Sequence, residues 1–95
     1  MTATMEVRAS HLLVDSEEQC KQLREEILAG KDFAEVAKAV SKCPSGRDGG
    51  DLGFFGRGRM VPEFDQAAFN MPVGEVSEPV KTQFGWHLLK VTDQR

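Results

Sequence analysis

Two histidines are the residues of this sequence best suited to proton transfer. His11 and His87 are the only histidines in the sequence. Each falls on the apolar side of a stretch that alternates between apolar and polar residues, as a strand does. If the two strands are neighbours in a sheet, the imidazoles can lie side by side, with one ring N–H donating to the free nitrogen of the other. A histidine on an apolar face is more often a satisfied core residue than a catalyst, so a structural role stays open at this point.

Cys43 is the residue that could act as a nucleophile. It begins a turn-rich stretch, CPSGRDGG, and a thiolate becomes reactive when a neighbouring group lowers its pKa. Zinc bound by His11, Cys43 and His87 is an alternative, but a fourth ligand and the usual short local spacings are missing. We therefore expect no metal. The second cysteine, Cys20, is expected in the core, because two cysteines are too few for a disulfide scaffold.

The segment 49–60, GGDLGFFGRGRM, combines five glycines with large apolar side chains. A disordered linker rarely carries so many large apolar residues. A phosphate-binding loop usually ends at a helix start with Lys and Ser or Thr, and this segment does not. The pattern therefore favours an ordered glycine-rich loop whose role is apolar.

The elements that must position these groups can be read from periodicity. Residues 5–14 are predicted to form a strand, followed by a helix capped by Ser16, buried through Cys20, Leu23 and Ile27, and ended by Gly30. A second helix is predicted to start at Asp32. The remaining elements are predicted to be a short strand at 52–55, a helix opened by Pro62, an edge strand at 76–82 that contains Pro79, and a strand at 84–92.

The order β-α-α-β-α-β-β predicts an α+β protein, and the 95 residues predict one domain, 1–95. The net charge of −3 argues against nucleic acid or an anionic membrane as the main partner. No apolar run approaches the roughly 20 residues of a membrane span, and the N-terminus lacks a signal-like pattern. These features lead us to expect a cytoplasmic monomer.

Four stretches of the chain resemble the parvulin family of peptidyl-prolyl cis/trans isomerases. They are ASHLLV, KCPSGRDGGDLGFFGRGRMVPEFDQAAF, VGEVSEPV and TQFGWHLLKV, in the family's order. The resemblance implies a parvulin/FKBP-like fold, in which a four-stranded antiparallel sheet is surrounded by helices in the order βα3βαβ2. It also implies that the two histidine-bearing strands pair at the centre of the sheet, and that a third helical turn lies near 42–45.

The resemblance also implies the site residues. The catalytic positions are His11, Cys43, Thr82 and His87, and the proline pocket is lined by Leu52, Met60, Phe64 and Phe84. On this interpretation the glycine-rich loop is apolar because its ligand is a proline ring. Ser45 and Asp51 are interpreted as loop-shaping residues. No cofactor is implied.

The function that the resemblance implies is isomerisation of X–Pro bonds in polypeptides, in support of protein folding. We expect a noncovalent mechanism, because the family accepts Cys or Asp at the position of Cys43. A non-catalytic module that binds proline peptides, or a chaperone module, is the alternative. One subgroup of parvulins binds phosphoserine or phosphothreonine through basic residues after the first strand. Here Asp15, Glu17 and Glu18 occupy that segment, so we expect no phospho-specificity, although Arg57 and Arg59 could partly offset the repulsion.

Overall fold

A computed structural model describes residues 6–95 as a four-stranded antiparallel sheet with helices on both faces. The elements, in chain order, are β1 (Glu6–Val14), α1 (Glu17–Leu28), α2 (Phe33–Val40), a 3-10 helix (Pro44–Asp48), β2 (Asp51–Gly56), α3 (Pro62–Phe69), β3 (Val80–Thr82) and β4 (Gly85–Gln94). The predicted α+β class and the βα3βαβ2 order are confirmed, with the 3-10 helix as the third helical element. Met5, predicted as the first strand residue, lies outside the described residues.

The strand order in the sheet is β2-β1-β4-β3, so the two histidine-bearing strands are paired at its centre, as predicted. His11 lies opposite Leu89, and Leu13 lies opposite His87. The two histidines are therefore diagonal neighbours in an antiparallel pair, close enough for their rings to meet.

Both faces of the sheet are covered by an apolar cluster. Helices α1 and α2 pack on one face, where Leu12, Val14 and Leu88 are fully buried. Helix α3 packs on the other face, against a cluster that contains Val7, Ala9, Phe55, Phe64, Leu89 and Val91. His11 and His87 are two residues from members of this second cluster along β1 and β4, so their side chains point to the same face and lie beneath α3.

The helices begin where side chains cap their first backbone N–H groups. Ser16 Oγ accepts a hydrogen bond from the Gln19 amide at 3.1 Å, and Asp32 Oδ2 accepts one from the Glu35 amide at 3.3 Å. The stripe predicted for α1, including Cys20, is buried against the sheet. Among residues 6–95, no helix is both long enough and apolar enough to cross a membrane.

The third strand is shorter than the sequence pattern indicated. We predicted residues 76–82, but the ladder holds only at Val80–Thr82, and Val76 forms an isolated bridge with Lys90. Pro79 has no N–H to donate and interrupts the pairing between the two places. The predicted edge position is confirmed.

Candidate active site

The two imidazoles meet in the interior of the protein. Nδ1 of His11 lies 3.2 Å from Nδ1 of His87, and the rings stack with centroids 5.3 Å apart. Each histidine is only 5% exposed. The Phe64 ring from α3 packs edge-on against both, at 5.4 Å from His11 and 5.8 Å from His87. Strand pairing below and one aromatic ring above therefore fix the positions of both rings.

A hydrogen-bonded chain runs through the pair from one hydroxyl to another. Ser45 Oγ lies 3.0 Å from His11 Nε2, and Thr82 Oγ1 lies 2.7 Å from His87 Nε2. The Phe84 amide donates to Thr82 Oγ1 at 3.2 Å. All four ring nitrogens thus have a partner. Because a neutral imidazole carries one donor and one acceptor, the chain can be polarised in either direction without any charge.

Burial keeps both rings neutral. Desolvation, followed by the nearby His87, lowers the pKa of His11 to about 4. Burial also lowers the pKa of His87 below its ordinary value. At neutral pH the pair therefore acts through hydrogen bonds rather than through positive charge.

Ser45 reaches His11 because the backbone of Gly50 fits against β1. The His11 amide donates to the Gly50 carbonyl at 2.9 Å, and the Gly50 amide donates to the Ser45 carbonyl at 2.8 Å. A Cβ on Gly50 would lie 2.1 Å from the His11 carbonyl oxygen, and its φ is +84°. Only glycine fits this close approach. The interpretation of Ser45 as purely loop-shaping was therefore incomplete, because it is also a terminal member of the hydrogen-bonded chain.

A cavity of about 410 Å³ opens beside the histidine pair. Its walls include all four predicted pocket residues, Leu52, Met60, Phe64 and Phe84, together with His11, Cys43 and His87. The sequence interpretation missed four further wall residues, namely Leu13, Lys42, Pro44 and Val61. Thr82 does not line the cavity, and its hydroxyl contacts the site through His87 Nε2 and the Phe84 amide.

Leu52 reaches the cavity through a bulge in β2. Asp51 is opposite Ser10 and Phe54 is opposite Arg8, so one β1 residue faces both Leu52 and Gly53. Such a bulge redirects side chains and increases the local twist. The Gly53 φ of +70° permits it, and Asp51 Oδ1 accepts a hydrogen bond from the Gly53 amide at 3.0 Å. The glycine-rich loop therefore supplies backbone shape, while its apolar residues supply the wall.

The two cysteines lie in different environments. Cys43 is half-buried in the cavity wall. Within residues 6–95, no hydrogen bond joins its thiol to His11 or His87, so neither imidazole is placed as its base. Cys20 is fully buried and its thiol donates to the His87 carbonyl at 3.5 Å, and burial raises its pKa to about 11. The core position predicted for Cys20 is confirmed. Within residues 6–95, no three His, Cys, Asp or Glu side chains are grouped so as to hold a metal ion.

The family model for the rotamase PPIC-type PPIASE domain matches residues 5–93. The chain is 52% identical over 92 residues to the foldase protein PrsA of Halalkalibacterium halodurans, covering 96% of the chain but 28% of that protein. The structure superposes on the crystal structure of the peptidylprolyl isomerase PrsA from Bacillus anthracis with a TM-score of 0.95 and 38% sequence identity. The match covers 98% of this chain and 43% of the B. anthracis chain. It also superposes on the solution structure of NmPin, the parvulin of Nitrosopumilus maritimus, with a TM-score of 0.86 and 38% sequence identity. That match covers 94% of this chain and 97% of NmPin.

A paired-histidine sheet beneath an apolar cleft, in a chain that matches these proteins, defines a peptidyl-prolyl cis/trans isomerase domain. The chain belongs to the parvulin, or PPIC-type, family. The predicted family, fold and enzyme class are confirmed. The chain spans about a third of the length of the curated foldases that it matches, and 28% of the H. halodurans protein.

Proposed function

We propose that this domain accelerates rotation about X–Pro bonds in polypeptides without forming a covalent intermediate, and so assists protein folding. The observation that carries the proposal is the juxtaposition of a largely apolar cavity of about 410 Å³ with a neutral, fully hydrogen-bonded histidine pair. The cavity is of a size to hold a proline ring, and the polar side chains of His11, Cys43 and His87 line it together with its apolar residues.

The physical basis is selective stabilisation of the twisted amide. Partial double-bond character in the C–N bond creates a barrier of roughly 18–20 kcal/mol, so uncatalysed exchange takes tens to hundreds of seconds. Twisting breaks the conjugation and makes the amide less dipolar, so it loses less than the planar form on leaving water. A wall formed by Leu52, Met60 and Phe64 that holds the ring while the preceding carbonyl turns favours the twisted state over either planar isomer.

Cys43 acts in this account through polarity and not as a nucleophile. Attack of its sulfur on the carbonyl would need a base within hydrogen-bond reach to take the thiol proton, and among residues 6–95 no hydrogen bond joins this thiol to His11 or His87. We assign Cys43 to the environment of the turning carbonyl, and Thr82 and Ser45 to the orientation of the imidazoles.

We also propose that phosphoserine before proline is disfavoured. Exposed Asp15 follows β1 directly, and exposed Glu17 and Glu18 form the first turn of α1. Asp15 forms a salt bridge with Lys42, which lines the cavity, so the nearest cation is already partly neutralised. A phosphate of about −1.5 to −2 charge would be repelled there. Matched peptides with phosphoserine or leucine before proline test this, and a higher kcat/KM for the phosphopeptide would contradict it.

The partners we propose are proline-containing polypeptides, with neither nucleic acid nor membrane as a principal partner. The organisation as one domain, the monomeric state and the cytoplasmic location stay predictions. Light scattering coupled to size-exclusion chromatography measures the oligomeric state. Fractionation of the source cells, followed by detection of the native protein, measures the location.

An isomer-specific proteolysis assay on an Ala-Xaa-Pro-Phe peptide tests the function. The enzyme is expected to speed the slow phase in proportion to its concentration. A non-catalytic binding module would instead bind the peptide without changing the rate. Binding measured by NMR titration of the same peptide, with no acceleration of the slow phase, would therefore contradict the proposed catalysis.

A further inference from the structure

A second, smaller cavity of about 280 Å³ adjoins the proline pocket. The two cavities share Lys42, Cys43 and Pro44 in their walls. The second cavity extends from there towards α2 and the 3-10 helix, where Lys38 and Arg47 line it. The two cavities are therefore neighbours across the segment 42–44, and Cys43 belongs to the walls of both.

The second cavity is basic. Three cations line it, namely Lys38, Lys42 and Arg47, and no carboxylate does. Lys42 is paired with Asp15, but none of the salt bridges within residues 6–95 involves Lys38 or Arg47. All three cations are exposed.

The neighbouring carboxylates do not cancel this charge. Asp48 follows Arg47 in the chain but lines a different cavity with Arg8 and Asp51. Asp51 is engaged by the Arg8 guanidinium. Lys38 and Arg47 therefore leave this cavity with an excess of positive charge, in a protein whose net charge is −3.

We propose that this basic cavity, formed by Lys38, Lys42 and Arg47, is a subsite for an acidic side chain of the same polypeptide whose proline occupies the main pocket. The inference deepens the proposed function and rests on it. An extended chain advances about 3.3–3.6 Å per residue, so the acidic residue is expected within a few residues of the proline. The subsite selects aspartate or glutamate at a position near the proline. The peptide residue directly before the proline faces the connection between β1 and α1 instead.

The expected effect is moderate, because the cations are exposed to solvent. Ion pairs at exposed positions contribute little individually and are screened by salt. A preference of about threefold in kcat/KM for glutamate over glutamine is expected at low ionic strength, and most of it should disappear at about 0.5 M salt.

A peptide scan tests the subsite. Glutamate and glutamine are compared at each of three positions on either side of the proline in one host peptide. At least one position should show the glutamate preference in the parent protein. The Lys38→Gln/Arg47→Gln variant should lose that preference while its turnover of the glutamine peptide stays unchanged. Asp15→Asn should increase the preference, because it frees Lys42.

A matched control removes the same charge elsewhere. Lys21 and Lys31 pair with Glu17 and Glu26, away from the basic cavity, so Lys21→Gln/Lys31→Gln should retain the glutamate preference. NMR titration of the parent and the Lys38→Gln/Arg47→Gln variant with both peptides gives a readout that needs no turnover. The 3-10 helix amides should shift further with the glutamate peptide in the parent only.

The outcomes separate this inference from the proposed function. Turnover of the glutamine peptide without any glutamate preference would overturn the subsite and leave the isomerase proposal standing. Absence of turnover on every peptide would contradict the isomerase proposal, and the NMR comparison would then decide the subsite alone. Equal loss with Lys21→Gln/Lys31→Gln would show a general charge effect and also overturn the subsite.

Discussion

Acidification should destabilise this protein through its histidine pair. The buried environment lowers the pKa of His11 from 6.5 to about 4, so the unfolded chain binds this proton at a higher pH than the folded protein does. The stabilisation is complete above pH 6.5 and is lost as the pH falls towards 4, below which both states are protonated. One pH unit corresponds to about 1.4 kcal/mol, so His11 alone should cost about 3 kcal/mol across this range.

The assay compares urea unfolding from pH 7 to pH 4 in the parent protein and in His11→Leu/His87→Leu. The double variant removes both titrations and leaves neither imidazole unpaired. Carboxylates titrate in the same range, but they are common to both proteins and cancel in the difference. The parent should lose about 3 kcal/mol more stability than the double variant, a large share of the roughly 5–15 kcal/mol of a typical domain.

An NMR titration checks the same reasoning without a variant. Since the chain has only two histidines, their ring signals are readily assigned. The His11 signal should titrate near pH 4, and the His87 signal below 6.5. A His11 midpoint near 6.5, or the same pH dependence of stability in both proteins, would refute the account of a neutral buried pair.

Three further outcomes are expected from substitutions in the site. Cys43→Asp should keep much of the kcat/KM and Cys43→Ala should reduce it moderately. Complete loss in the Asp variant, with a trapped tetrahedral adduct between the Cys43 sulfur and the carbonyl carbon in the parent, would contradict the noncovalent role. Thr82→Val should destabilise by roughly 1–3 kcal/mol in urea melts, because His87 Nε2 loses its partner, whereas Thr82→Ser, which keeps the hydroxyl, should lose clearly less; equal losses would argue against the hydrogen bond. Gly58→Ala, at a φ of +85° with open space around it, should cost about 1–2 kcal/mol, the penalty of the left-handed backbone alone. Gly50→Ala, at a similar φ, should cost clearly more, because its Cβ also meets the His11 carbonyl oxygen; equal costs would show that backbone conformation alone decides.

Local pattern was enough to predict most of the elements. The period-two alternation placed His11 and His87 each on the apolar side of its own strand, and the caps at Ser16 and Asp32 located the starts of α1 and α2. Periodicity alone could not show that β1 and β4 are neighbours, because strand pairing depends on the whole chain. That expectation came from the resemblance to parvulins, and the pairing is present.

The missed site residues depend on contacts between distant segments. Ser45 meets His11 only because Gly50 lies against β1, a contact that no local spacing reports. The available signal in the sequence was the pair of adjacent glycines, Gly49 and Gly50, which permits such a close approach. In the structure both have a positive φ. Lys42 lies in the cavity wall for a similar reason, since its amide donates to the Leu13 carbonyl at 2.9 Å and holds it beside β1.

The central claim is that the proline pocket accelerates rotation of the X–Pro bond, and a protease-free exchange measurement tests it most directly. Cis–trans exchange of an Ala-Leu-Pro-Phe peptide is followed by two-dimensional NMR with catalytic amounts of the parent, Met60→Ala or Met71→Ala protein. Both methionines are half-buried and pack on the same cluster, but only Met60 lines the pocket. The cis–trans exchange time of the peptide, which is tens of seconds or more without enzyme, should become much shorter with the parent protein and with Met71→Ala. Met60→Ala should lose most of this acceleration. Unchanged exchange with the folded parent protein, or equal acceleration by both variants, would contradict the account.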